Sequence, residues 1–571
     1  MEKWMVAAKR ADFKGIGERF GIDQVTARII RNRDVIGEKA IEKYLHGSRK
    51  DFYSPWLLKD MEKAVAILQE KIENRNRIRI IGDYDIDGVM STYILLESLR
   101  GLGCDVDMMI PNRITDGYGI NEHLIEQAWQ EGRDTIITCD NGIAAVTQIR
   151  KAKDLGMTVI VTDHHEVPFE DLEGGRKEIL PPADAIVNPK QKACSYPFAG
   201  LCGAVVAMKV MEALYEKMAP EVDLVDKMLP FAGIATIGDV MDLQGENRIF
   251  VKAGLRALHK TQNLGLQELI RVQGIEAENV TPYHIGFVLG PCINASGRLD
   301  TAEHSLKLLC AKTREEAAKL AGDLKDLNES RKELTRQGEA KAIELVETSP
   351  LQNDKVLVVY LPDCHESLAG IIAGRLREHF HKPSFVLTRS EEGVKGSGRS
   401  IEAYSMYEEL CKCKELMTKF GGHPMAAGLS LAGEEMIEPF RRALNDNSTL
   451  TEEDFVEKVV IDVPMPITYI TKNLIRQLSL LEPFGKGNTK PLFAQKGLTV
   501  LNYRIFGKNR NVVKVQLADA GGYQMDGVYF GEGEAFAAYV DAHPTLSVAY
   551  YPSIDTWNGR DKLQINIQSY F

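Results

Sequence analysis

At 571 residues the chain is long enough for about four domains. Its 44% hydrophobic and 26% charged content is that of a globular protein, which excludes wholesale disorder, collagen and a disulfide-stapled mini-protein. A net charge of -11 disfavours a histone-like coat for nucleic acid, but leaves room for a local basic channel, because binding follows charge distribution. No uncharged apolar run approaches the roughly 18 residues of a membrane span. The longest candidate, residues 198–208, is short and rich in Gly and Ala, and the N-terminus opens on Glu2 and Lys3 without an apolar segment. Neither a membrane span nor a secretory signal is expected. The nine scattered cysteines form no Cys-x-x-Cys pair, which predicts packing thiols in a reducing cytoplasm rather than a zinc site.

In chain order, residues 1–75 read as helical and irregular, with helical spacing of apolar residues over 57–72. Short β-rich runs follow at 77–81, 135–138 and 157–162, separated by helical patterns at 91–102 and 144–155. Strand, turn, helix, strand at this spacing predicts a parallel sheet with crossover helices, whose ligands bind outside the carboxyl ends of the strands. Residues 313–347 form a long charged helical stretch without proline, roughly 50 Å at 1.5 Å per residue, suited to an arm between two lobes. An α/β pattern restarts at 355–360 and continues as a helix through 370–379. From about 455 the chain turns β-like, with strands expected at 456–463, 498–506, 512–517, 546–551 and 563–568, which suggests a small barrel.

The strongest chemical signal is Gly82-Asp83-Tyr84-Asp85-Ile86-Asp87-Gly88, directly after the first strand. In extended chain alternate residues project to one side, so Asp83, Asp85 and Asp87 are expected to converge. Three ionised carboxylates at one point repel unless a cation neutralises them. An EF-hand calcium loop fits Asp83, Asp85, Asp87 and Gly88, but its twelfth position, counted from Asp83, is Ile94 instead of a bidentate glutamate. A metal site of another kind and a solvated acidic turn remain. Asp140 and the triplet Asp163-His164-His165 stand at the next strand ends, and Asp239 follows an apolar segment within Ile237-Gly238-Asp239-Val240-Met241-Asp242. A histidine pair alone is more often structural, but at the third strand end of one sheet it favours metal binding. Oxygen and imidazole donors together suit manganese better than magnesium.

The motifs GDYDIDG, CDNG, TDHHE and IGDVMD, in this order, resemble the signature of the DHH phosphoesterase superfamily, and FGGHPMAAG resembles its associated DHHA1 domain. PNRITDGYG (111–119), PCINASGR (291–298) and LEPFGKGN (481–488) narrow the resemblance to the RecJ family of single-strand-specific exonucleases. One departure is Ile81 before Gly82, where many relatives carry a histidine that need not be a ligand. The resemblance implies a parallel-sheet α/β DHH catalytic lobe (51–312) after an N-terminal helical segment (1–50). A connecting helix (313–348), a smaller α/β DHHA1 lobe (349–450) and an OB-like β-barrel (455–571) would follow. It implies metal-dependent 5′-to-3′ degradation of single-stranded DNA to mononucleotides, in recombination and repair. Two divalent ions about 3.5–4 Å apart activate water and neutralise the leaving oxygen in such chemistry. By similarity, Asp83, Asp85 and Asp140 would hold one ion, and Asp87, Asp140, His164 and Asp239 the other, with Mn2+ preferred and Mg2+ an alternative. His165 would contact the scissile phosphate or stabilise the leaving group, and Asp242 would act behind the ligands.

On the substrate side, arginine forks match phosphate oxygens. Arg113, Arg298 with Asn294 in the same motif, and Arg399 with Ser397 in a glycine-flanked turn are phosphate candidates; each alone also reads as a surface ion-pair residue. Gly421, Gly422 and His423 would allow close backbone approach to a phosphate, or form a tight turn with a capping histidine, and His365 is a substrate-contact candidate. Between 486 and 514 the chain carries Lys486, Lys490, Lys496, Arg504, Lys508, Arg510 and Lys514 with no acid, interleaved with Phe493, Tyr503 and Phe506. That composition fits a single-strand platform, cations for phosphates and rings for bases, or else a solvated basic face. Two other readings are a DHH hydrolase of small phosphates, which the length and the barrel argue against, and a non-catalytic DNA-binding scaffold, which would not need six ligands. The family implies single-strand-binding protein and a helicase as partners, a monomer and a cytoplasmic location; the sequence itself shows none of these.

Overall fold

The computed structural model describes residues 2–571 apart from 114, 115, 118, 173, 174, 392 and 557–560. Strand β1 (Glu2–Val6) opens the chain. The first sheet comprises β2 (Arg77–Ile81), β3 (Asp105–Met109), β4 (Thr135–Cys139), β5 (Thr158–Thr162) and, after a hairpin of β6 (Phe169–Leu172) and β7 (Gly175–Glu178), β8 (Ala185–Val187). Its order is β3-β2-β4-β5-β8, with every pairing parallel. β4, Thr-Ile-Ile-Thr-Cys, is buried at every position, as a parallel strand covered on both faces must be. One face packs on the helix Ile86–Gly101 and, behind it, the helices Gly203–Met218 and Leu224–Gly238. The other face is covered by the helices Glu122–Gln130 and Val146–Asp154. The apolar run at 198–208 thus leads into a helix buried within this lobe, and no helix among the described residues is long and apolar enough to cross a membrane. All nine cysteines are free thiols.

The expected arm is a single helix, Arg314–Glu347, of 34 residues, started by Thr313, whose side chain accepts from the Glu316 amide. Ala317, Ala321 and Leu324 join the first lobe's core, and Ala342 and Val346 join that of the second. The second lobe is built on β9 (Leu357–Tyr360), β10 (Ser384–Ser390), β11 (Gly393–Arg399), β12 (Lys419–His423) and β13 (Ala426–Leu431). Their order is β12-β13-β11-β10-β9, mixed because only β9 and β10 run parallel.

The C-terminal strands are β14 (Glu457–Ile461), β15 (Val463–Pro464), β16 (Phe493–Phe506), β17 (Val512–Ala518), β18 (Gln524–Phe530), β19 (Leu546–Asp555) and β20 (Lys562–Tyr570). The run β16-β17-β18-β20-β19 closes into a barrel because the 14-residue β16 shifts register and pairs with both β17 and β19. The segment expected as one strand at 456–463 is in fact two. β15 joins the barrel beside β16, whereas β14 pairs in parallel with β1, so the first residues are strand rather than helix or coil. β18 escaped the sequence reading because Gly527 and Asp526 interrupt its apolar pattern. A Cβ at Gly527 would come 2.9 Å from Val515, so the glycine is set by packing. The helices Gln24–Asn32 and Glu38–His46 contribute Ile29, Ile30, Ile41 and Leu45 to the barrel's own core.

Candidate metal centre and substrate cleft

Four chain segments bring carboxylates and imidazoles together at the carboxyl end of the first sheet. After β2 the chain turns sharply into the helix Ile86–Gly101. Gly88 permits this turn, since a Cβ there would lie 2.5 Å from the Asp83 carbonyl oxygen. Asp85 caps that helix, its Oδ1 accepting from the amides of Asp87 (2.9 Å) and Gly88 (3.0 Å). Asp87 lies in the first helical turn and accepts from the amides of Gly203 (2.6 Å) and Ala204 (2.8 Å), at the start of the helix Gly203–Met218. The convergence of the three acids therefore arises from a strand-to-helix turn, not from the extended alternation expected. Asp140 follows β4 with φ +61°, a left-handed conformation uncommon outside glycine, and packs so close to Gly203 that a Cβ there would lie 2.8 Å from its own Cβ.

After β5, Asp163 is fully enclosed and receives the amides of Ile143 (2.9 Å), His164 (2.7 Å) and His165 (3.1 Å), with the His165 Nδ1 at 2.7 Å. His164 Nε2 lies 3.1 Å from Asp140, 3.6 Å from Asp87 and 3.7 Å from Asp239. Asp239 arrives as the C-cap of the helix Leu224–Gly238. Asp83, Asp85 and Asp140 form one close group, Asp87, His164 and Asp239 a second, and Asp140, His164 and His165 a third, each with its donor atoms within 4.8 Å of one another.

The electrostatics fit divalent cations. Burial, and then the neighbouring carboxylates, push Asp83, Asp85 and Asp140 upward, and Asp239 to about 8. Burial holds His164 below its usual value, which keeps the imidazole in the neutral form that ligates a metal. Burial would also lower His165, but its hydrogen bond to Asp163 prevails and raises it to about 9. Asp83 Oδ1 and His164 Nδ1 are buried with no hydrogen-bond partner among the described residues. Carboxylates with one neutral imidazole form a donor set for Mn2+ or Mg2+.

Two features of this centre were not assigned from the sequence. Asp163 orients His165, and Asn141 ties the sheet together by donating to the carbonyls of Ile81, Gly82 and Cys139. Both signals lay in the TDHHE and CDNG motifs. Ile81 is fully buried in β2. Asp242 stands apart from the cluster: it is exposed and pairs with Lys486 at 3.4 Å, because the chain leaves the site after Asp239.

Between the two lobes lies a cavity of about 520 Å³, lined by Tyr84, Arg113, Ser367, Lys395, Ser397 and Phe420 among others. The expected glycine-flanked turn around Arg399 is instead strand β11. A Cβ at Gly396 would lie 2.2 Å from Leu387 and one at Gly398 2.5 Å from Phe385, so the glycines face the core and Lys395, Ser397 and Arg399 alternate to the other side. Arg113 stacks over the Tyr84 ring at 4.8 Å; Ile114, Thr115 and Tyr118 of its motif lie outside the described residues. Arg298 donates across the cleft to the Ser367 carbonyl at 2.8 Å, and Arg399 donates to the Gly398 carbonyl at 2.7 Å. Burial, followed by neighbouring arginines, lowers Arg298 to about 10 and pulls Arg399 down as well. Clustered guanidiniums favour a neighbouring anion over a further cation. Asn294 lies on the helix Gly290–Leu299, one turn before Arg298, with a buried Oδ1 that has no partner among the described residues. His365 caps the helix Glu366–Phe380 by accepting from the Ser367 amide (3.3 Å). Gly421, Gly422 and His423 are exposed on the edge strand β12 rather than in a turn, and its neighbours Lys419 and Phe420 line the cavity.

On the barrel the basic run divides. Lys486 pairs with Asp242, Arg510 with Glu534, and Lys490 lies 4.6 Å over the Tyr551 ring. Tyr503 donates to Asp541 (3.1 Å). Arg504 and Lys514 are register partners, each 6.0 Å from the Phe506 ring, and Lys508 is exposed beyond it. Phe506 and Phe530 both align with Val512 on this outer face, 40% and 64% exposed. Phe530, on the strand missing from the sequence reading, extends this exposed aromatic face.

Family comparisons match the three units. The DHH family N-terminal domain matches residues 77–236, the DHHA1 domain 353–448 and the RecJ OB domain 461–569. The single-stranded-DNA-specific exonuclease RecJ of Bacillus subtilis (strain 168) is 36% identical over 571 residues, which covers 99% of this chain and 70% of that protein. Its namesake in Escherichia coli (strain K12) is 32% identical over 95% of each chain. The crystal structure of RecJ from Thermus thermophilus in complex with Mn2+ is similar across the whole of this chain and 79% of its own, with a TM-score of 0.84 at 26% identity. The same protein in complex with Mg2+ gives 0.78. Motif order, domain order and near full-length identity agree, and the chain belongs to the RecJ family.

Proposed function

We propose that the chain is a metal-dependent exonuclease that degrades single-stranded DNA from its 5′ end to mononucleotides. The observation that carries this reading is the convergence of Asp83, Asp85, Asp87, Asp140, His164 and Asp239 at one strand-end cluster, with the guanidiniums of Arg113, Arg298 and Arg399 beside it. Asp83, Asp85 and Asp140 would hold one divalent ion, and Asp87, His164 and Asp239, with Asp140 shared, a second; Mn2+ is preferred on the donor set and Mg2+ is the alternative. Bound divalent ions supply an activated water and charge neutralisation at the phosphate. The chain's own groups do the rest. Asp163 keeps His165 protonated by holding its Nδ1 at 2.7 Å, which leaves the imidazolium Nε2–H as the proton for a phosphate oxygen. Arg113, Arg298 and Arg399 bind the terminal 5′-phosphate, and Ser397 and Asn294 orient it. The barrel face around Phe506 and Phe530 carries the trailing strand.

DNA recombination and repair, single-strand-binding protein and a helicase as partners, a monomeric state and the cytoplasm complete the reading, by likeness to the family. The nine unpaired thiols support a reducing compartment. The test is degradation of 5′-labelled and 3′-labelled single strands with Mn2+. Label should leave the 5′ end first as mononucleotide, and blunt duplex should resist. A strict 3′ start, or equal attack on duplex, refutes the polarity and the strand preference.

A further inference from the structure

Asp239 ends its helix in a Schellman turn. The Val240 amide bonds the Ile237 carbonyl (3.1 Å), the Met241 amide bonds that of Thr236 (3.1 Å), and Val240 itself sits at φ +55°. Glycine normally takes that left-handed position. A β-branched residue there is an outlier that persists only where its surroundings over-determine it. Val240 is 60% exposed, so packing on its own side chain does not hold it. What holds the chain is the next stretch and its partner from the barrel domain. The Leu243 amide donates to the Lys486 carbonyl (2.8 Å), and Gln244 Nε2 donates to the Gly487 carbonyl (2.8 Å). Gly487, at φ +71°, lies so close that a Cβ would be 3.1 Å from the Asp242 Cβ, and one at Gly485 would be 2.7 Å from Leu243. The loop is itself rigid. The Asn488 side chain is buried, donating to the carbonyls of Leu481 and Pro483 and accepting from the Tyr44 hydroxyl (2.7 Å). The buried Arg248, just beyond Gln244, donates to the carbonyls of Leu480, Leu481 and Tyr44.

The geometry points to the barrel's loop, residues 485–488, as the positioning element of Asp239. By gripping residues 242–244 it keeps the left-handed turn at Val240 in place, and with it the carboxylate that faces His164. The barrel domain thus completes the metal centre as well as carrying DNA, and the Asp242–Lys486 ion pair at 3.4 Å marks the contact. This inference rests on the metal-centre reading, but not on the identity of the substrate.

The test uses the full-length, metal-stripped protein titrated with Mn2+, with free ion read by electron paramagnetic resonance. A Gln244→Ala/Gly487→Val variant should bind Mn2+ about tenfold more weakly, the lower end of what loss of supporting partners costs a metal site. Single-stranded DNA affinity in chelator should stay within about twofold, because the barrel face is untouched. Adding Val240→Gly should restore most of the Mn2+ affinity, since glycine holds the turn without help. That rescue is the readout a merely structural role would not give. Wild-type Mn2+ affinity in a folded double variant overturns the inference, as does a loss that Val240→Gly leaves unrelieved. If the double variant fails to fold, Gly487→Ala alone is titrated. It must show a smaller loss that Val240→Gly also relieves, and an unchanged affinity there overturns the inference equally. A wild-type protein that binds Mn2+ yet leaves DNA intact would sink the exonuclease reading and leave this one standing.

Discussion

The salt dependence of DNA binding separates the cations that face a strand from those already engaged. Among the described residues, Arg504, Lys508 and Lys514 have no carboxylate in ion-pair reach and flank Phe506 on the open barrel face, while Lys486 and Arg510 are paired to acids. Each single-strand phosphate neutralised contributes about 0.7 to the slope of log affinity against log salt. Replacing Arg504, Lys508 and Lys514 together by Ala should therefore flatten the slope by up to about 2. Replacing Lys486 and Arg510 should change it by less, because their release from Asp242 and Glu534 offsets what they give to phosphate. Anisotropy of a labelled oligothymidine, titrated in chelator across a salt series, measures both. Phe506→Ala or Phe530→Ala should instead cost about 1–3 kcal/mol at every salt concentration, if a base stacks there. An unchanged slope in the triple variant would refute the assignment and leave DNA held by the two lobes alone.

Asp140→Ala should reduce turnover to background without lowering the melting temperature of the metal-free protein, because it removes one of several mutually repelling buried carboxylates; activity near wild type would sink the shared-ligand assignment. Arg399→Ala should lose at least about tenfold in preference for 5′-phosphorylated over 5′-hydroxyl ends, measured as a ratio of kcat/KM, the scale of one charge-assisted hydrogen bond. Without metal, stability should fall as pH rises from about 4 to about 9. Asp239, raised to about 8, binds more protons folded than unfolded between its ordinary value and 8, and His165, raised to about 9, does so above about 6.5. Asp239 changes stability by up to about 1.4 kcal/mol per pH unit, and the more exposed, solvent-screened His165 by less. Melting curves in chelator, with and without added Mn2+, test this, and a metal-free protein more stable at pH 8 than at pH 5.5 would contradict it.

Much of the catalytic lobe was legible because its signals are local. A short β-rich run leading into an acid reads the same way three times over, and the carboxyl ends of parallel strands must share one edge. The long helix was legible from length, charge and the absence of proline. The failures were non-local or concerned glycine. β1 finds its partner some 450 residues later, and nothing within Glu-Lys-Trp-Met-Val announces that. Lys395–Arg399 looked like a turn because glycine usually marks one, yet Gly396 and Gly398 are small to admit Leu387 and Phe385 across a sheet. Asp242 was expected just behind the ligands from its nearness to Asp239 in sequence, but the left-handed turn at Val240 sends it to the surface.

The helix Arg314–Glu347 has a consequence for how the molecule comes apart. Its first turns complete the hydrophobic interior of one lobe with Ala317, Ala321 and Leu324, and its last turns complete that of the other with Ala342 and Val346. Neither lobe can melt without uncovering part of a helix that the other needs, and neither can be excised by a cut within the helix without an exposed apolar wound. The two lobes are thus one cooperative unit in the thermodynamic sense, although their strands form separate sheets.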